Sequence, residues 1–111
     1  MSITHVVLLH FKSALALKEV KDISERFLEL EKTCIHPSTN KPYIIDARGG
    51  KDLSLNPPWA SGPTHGFVFE FASLEDREYY VSKDPAHLAF VTDIKLVMEK
   101  ITIVDFKTGE F

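Results

Sequence analysis

The chain has 111 residues, a length that suits one domain spanning residues 1–111 with a modest core. Hydrophobic residues make up 44% and charged residues 26%, which fits neither a disordered chain nor a membrane-embedded one. The net charge is −3 and the basic residues are scattered, which argues against nucleic acid or a membrane surface as partner.

Residues 3–11, ITHVVLLHF, are apolar and β-branched and read as a first strand. Leu17, Val20, Ile23, Phe27, Leu28 and Leu30 then recur at helical spacing over residues 15–34, with Ser13 as the expected N-cap. His36-Pro37 ends that helix, because the residue before a proline is driven out of the α region. A weaker strand over 42–49 holds Tyr43, Ile44 and Ile45 and is expected to stop at Gly49-Gly50. Residues 51–63 read as loop, with three prolines and Trp59 as a lid or an anchor. Residues 64–72, THGFVFEFA, form an aromatic strand. Ser73 caps a short helix bearing Tyr79, Tyr80 and Val81. Asp84-Pro85 starts another, expected to carry Leu88, Phe90, Val91, Ile94, Val97 and Met98. Residues 100–107, KITIVDFK, close the chain as a strand. The order is that of a ferredoxin-like α+β fold, β-α-β-β-α-β, with the helices on one face of the sheet.

The other face of such a sheet is normally polar. Here Val6, Leu8, Val68, Val104 and Phe106 alternate with the helix-facing set, so both faces are apolar and only Glu70 is discordant. A patch of that kind predicts a homodimer joined through the sheet face, as a dimeric α+β barrel. A single cysteine, Cys34, excludes an internal disulfide and suits a cytoplasmic setting. Cys34 and His36 have no second close-spaced pair to complete a metal site, and the sequence points to no cofactor.

Three segments, THVVLLHFK, THGFVFEFASLEDREYYV and KDPAHLAF, resemble the stress-responsive A/B barrel (Dabb) domain family, fungal members above all. The resemblance spans nearly the whole chain. It implies a dimeric α+β barrel, and a role in stress response. One plant member, olivetolic acid cyclase, closes a linear polyketide by aldol condensation without a cofactor, using a tyrosine and a histidine in a pocket between sheet and helices. Carried over residue by residue, its PAH histidine matches His87, and two further histidines match His5 and His65. Its pocket wall is similar to Val7, Leu9, Phe27, Leu28, Phe67, Phe90, Ile101 and Ile103. Its catalytic tyrosine falls at Val81, next to Tyr80 and Tyr79.

His87 lies in the first turn of its helix, where the positive end of the dipole disfavours an imidazolium. A neutral imidazole there suits a general base that removes a proton alpha to a carbonyl. Tyr80 or Tyr79, and His5 or His65, are the candidates to stabilise the resulting enolate. The expected function is binding of a small apolar, oxygenated molecule, with cofactor-free cyclase or lyase chemistry. The alternative is a non-catalytic stress-responsive binding or structural protein, whose cavity would be filled by its own phenylalanines.

Overall fold

The computed structural model describes residues 2–54 and 62–111; Trp59, expected to be a lid over a pocket or an anchor of its loop to the barrel, lies outside them. Strand β1 (Ile3–Phe11) is buried at every second residue, so Ile3, His5, Val7, Leu9 and Phe11 face the helices. Strand β3 (His65–Phe71) does the same with Phe67, Phe69 and Phe71, all essentially inaccessible. Each fully buried phenylalanine contributes roughly 1.5–3 kcal/mol through apolar burial. With β2 (Ile44–Lys51) and β4 (Met98–Phe106) these strands form one sheet in the order β2-β3-β1-β4. All neighbours are antiparallel. Helix α1 (Leu17–Thr33) lays Ile23, Phe27 and Leu30 on the sheet. The second helical segment is broken in two, α2 (Leu74–Ser82) and α3 (Pro85–Ile94).

The break is local chemistry. The Ser73 side chain accepts from the Asp76 N–H and starts α2. The Asp84 carboxylate accepts from the N–H groups of Ala86 and His87, and Pro85 takes the first helical position, where no N–H is needed.

Three boundaries differ from the sequence expectation. Ser13 does not cap α1. A turn closed by the Leu15 N–H on the Lys12 carbonyl delays the helix to Leu17, and the Glu19 carboxylate reaches back to the Ala16 N–H. Gly49-Gly50 does not end β2 but lies inside it, paired with Phe67 and Gly66. A Cβ on Gly49 would sit 2.3 Å from Phe67 Cδ1, so the glycine admits the ring against the strand. Val97 and Met98 do not continue α3. The Lys12 N–H binds the Val97 carbonyl at 2.9 Å, which draws the chain into the sheet, and Met98 opens β4 opposite Phe11.

On the side away from the helices, Val6 pairs with Val68 on one neighbour and with Val104 on the other. Leu8 and Phe106 extend this apolar stripe, and Phe106 and Val104 are exposed. Glu70 is discordant only in isolation, because its carboxylate accepts from the Thr4 hydroxyl beside it at 2.6 Å.

Candidate functional site

A cavity of about 270 Å³ lies between β1 and β4 on one side and α2 and α3 on the other. Register builds its walls. His5 pairs with Asp105, Val7 with Ile103 and Leu9 with Ile101, in successive layers on the helix-facing side. Helix α3 supplies His87, Leu88, Phe90, Val91 and Ile94; Phe27, Tyr80 and Val81 complete the wall.

The histidines and the groups that hold them gather at one end. His87 places Nδ1 2.8 Å from the Tyr80 backbone carbonyl. A carbonyl only accepts, so Nδ1 carries the proton and Nε2 is left as the basic nitrogen. The Tyr80 ring stacks on the His87 imidazole with centroids 3.8 Å apart. Burial is the main influence on His87 and lowers its pKa to about 4; the bond to the Tyr80 carbonyl and the charge of Asp84 oppose it. The imidazole is therefore neutral at pH 7, with burial as the largest cause.

His5 is nearly inaccessible to solvent and donates from Nδ1 to Asp105 Oδ1 at 2.5 Å. The other Asp105 oxygen accepts from Arg77 at 2.6 Å. Burial alone would raise the Asp105 carboxyl, but the hydrogen bonds from Arg77 and His5 outweigh it and hold the group below its ordinary value. The His5 ring also meets the edge of Tyr80, 5.8 Å between centroids, so Tyr80 stands between the two histidines.

His87, Tyr80, His5, Val7, Leu9, Phe27, Val81, Phe90, Ile101 and Ile103 line this one cavity together. Four others do not line the cavity. His65 pairs with Leu9 on the side away from β4, packs its edge on Phe11 and bonds the Thr64 hydroxyl. Phe67 sits under Phe27 in the core. Leu28 packs beside that core. Tyr79 points the other way, against Tyr43 and His36. Tyr80 is present, but its hydroxyl is buried with no hydrogen-bond partner among the described residues. Burial pushes that phenol well above its ordinary pKa, so it stays protonated.

Asp105, Arg77 and Lys95 carry no signal of their own in the sequence. Alternation from Ile101 and Ile103 would have put Asp105 on the same face, but only the register with β1 brings it to His5. Cys34 has no access to solvent, and burial, reinforced by Asp84, raises its thiol far above the ordinary value. It belongs to the packing around Asp84, which also accepts from the Tyr43 hydroxyl at 2.6 Å. No group of three or more metal-ligating side chains occurs among the described residues.

The profile of the stress-responsive A/B barrel domain matches residues 3–108. The chain belongs to the Dabb family. A Gibberella zeae relative, described as a fusaristatin A biosynthesis cluster protein, is 34% identical over 94 residues, covering 78% of this Dabb chain. The match takes in 60% of that relative, which is the longer protein. Among solved structures, the Arabidopsis thaliana protein At3g17210 is similar with a TM-score of 0.81 at 25% identity, covering 98% of this chain and 97% of that one. The hydroxynitrile lyase of Passiflora edulis shares the fold with a TM-score of 0.77 at 24% identity, over 99% and 96% of the two chains. A dimeric ferredoxin-like protein of Thermobifida fusca matches at 0.72 with 20% identity, over 96% and 90%. The Dabb fold and the ferredoxin-like sheet order are therefore established for this chain. No helix among the described residues is long and apolar enough to cross a membrane.

Proposed function

We propose that this Dabb protein is a homodimer that binds a small, mostly apolar carbonyl compound between sheet and helices and removes a proton alpha to the carbonyl without a cofactor. The observation that carries this reading is a neutral imidazole lining an apolar cavity, with Nδ1 anchored and Nε2 left basic. In the proposed step, Nε2 of His87 takes the proton and the electron pair moves onto the carbonyl oxygen. His5 is the group to meet that oxygen. Asp105 holds its Nδ1 and so fixes the ring that faces the developing oxyanion. Tyr80 is a positioning residue: its carbonyl sets the His87 tautomer and its ring fixes the imidazole plane, while its hydroxyl is shut away from the ligand. The fungal relative's description as a biosynthesis cluster protein agrees with a role in small-molecule metabolism.

The test uses 2-nonanone in deuterated buffer, with exchange alpha to the carbonyl followed by NMR. His87→Ala should slow enzyme-dependent exchange by about 100-fold or more, the range of general-base contributions. Tyr80→Phe, which removes only the unpartnered hydroxyl, should stay within a few-fold of the natural protein. Equal exchange in the natural protein and His87→Ala overturns the assignment. Ketone binding with no exchange above buffer would favour the non-catalytic reading instead.

A further inference from the structure

The cavity is polar at both ends, and only one end belongs to the histidines. Lys95, at the C-terminus of α3, lines it at the far end. The direction is fixed by two contacts. Tyr80 touches both His5 and His87 at the start of β1 and α3. The Lys12 N–H on the Val97 carbonyl ties the end of β1 to the turn that follows α3. Strand and helix therefore run side by side, from His5 and His87 to Leu9, Ile94 and Lys95. Between the ends the wall is apolar and non-aromatic at Val7, Ile103, Leu9, Ile101, Val91 and Met98.

The ammonium of Lys95 forms no ion pair among the described residues. Lys12, a second cation at that end, is occupied by the Leu96 carbonyl at 3.0 Å. A free ammonium on an aliphatic stem beside an apolar slot is well placed to meet an anion while its methylenes cover the chain.

We infer that the slot takes a linear oxo acid, with its carbonyl at the histidine pair and its carboxylate at Lys95. Length sets the size. Eight residues of α3 separate His87 from Lys95, about 12 Å at the helical rise. Four residues of β1 separate His5 from Leu9, about 13 Å at the strand rise. An extended chain gains roughly 1.2 Å per bond, judged from the reach of a polypeptide, so about ten chain atoms span the gap. The inference rests on the cavity being the binding site, but not on proton removal there.

The probes are 8-oxononanoate, 5-oxohexanoate and 2-nonanone, with dissociation constants from ligand-observed NMR. The natural protein should bind 8-oxononanoate roughly fivefold tighter than 2-nonanone, as expected for one charge-assisted contact at a part-exposed site. 5-Oxohexanoate, three methylenes shorter, should bind at least about tenfold more weakly. Lys95→Met should bring 8-oxononanoate down to the level of 2-nonanone and leave 2-nonanone unchanged. His87→Ala should keep the preference for the acid. Equal affinity of acid and ketone in the natural protein, or an unchanged preference in Lys95→Met, overturns the inference while leaving ketone binding intact. Selective binding without deuterium exchange upholds it even as the catalytic reading fails. Failure of all three compounds to bind overturns both.

Discussion

A histidine with a lowered pKa leaves a signature in stability as well as in chemistry. His87 protonates near 4 when folded and near 6.5 when unfolded. As pH falls below 6.5 the unfolded chain takes the proton first, so protonation favours unfolding. The stability tied to neutral His87 is whole above 6.5 and is lost between 6.5 and about 4, amounting to up to roughly 3 kcal/mol. Urea midpoints measured across that window should fall more steeply for the natural protein than for His87→Gln, which keeps a donor for the Tyr80 carbonyl but does not titrate. An NMR titration should place the His87 midpoint near 4; an ordinary value near 6.5 would contradict the buried, anchored ring. Cys34 makes a second prediction at this scale. Its thiol is inaccessible and raised, so a thiol reagent at pH 8 should label it only after the protein is unfolded. Rapid labelling of the native protein would mean that the packing around Asp84 opens.

The elements depend on a few side chains at their ends and crossings. Asp84 is nearly inaccessible, caps α3 through two N–H groups and accepts from Tyr43, so its removal uncaps the helix and strands a buried hydroxyl. Asp84→Ala should cost about 2–4 kcal/mol by urea denaturation, the sum of a lost cap and an unsatisfied phenol. A loss under 1 kcal/mol would show that the cap is dispensable. In β2, Gly49→Ala should destabilise by about 1–3 kcal/mol because Phe67 must shift. Gly50→Ala, with open space around its Cβ, should cost far less. These positions also show what could be read from sequence. The alternation in β1 and β3 and the Asp84-Pro85 start of α3 are local patterns, and local patterns are visible in one dimension. Gly49-Gly50 looks like a stop signal, and nothing nearby in sequence says that a phenylalanine from the adjacent strand fills the space. His5 and Asp105 meet across 100 residues, and only strand register joins them. Tyr79 and Tyr80 are equivalent in sequence. The phase of α2 turns one toward His87 and the other toward Tyr43 and His36.

At the scale of the molecule, the division of the sheet into two apolar faces calls for a second body. Over β1 and β3 the helix-facing side has its own cover. The opposite side carries Val6 at its centre, paired with Val68 and Val104, with Leu8 and Phe106 around it. A two-fold axis through such a stripe brings the same patch of both chains together, so every buried group counts twice. The natural protein should therefore scatter light as a particle of twice its 12.6 kDa chain mass at micromolar concentration. Val6→Asp puts an unpaired carboxylate at the middle of that contact, where desolvation is costly, yet on a surface the monomer leaves partly open to water. It should give a folded monomer, with native far-UV dichroism, instead of an unfolded chain. Val104→Asp, one strand over on the same face, should do the same. A natural protein of 12.6 kDa at micromolar concentration would sink the face-to-face dimer. A Val6→Asp variant that stays dimeric would move the contact to another surface, such as the exposed edge of β4. The cavity faces the other way, so 2-nonanone should still bind the monomeric variant, and that result would separate the ligand site from the interface.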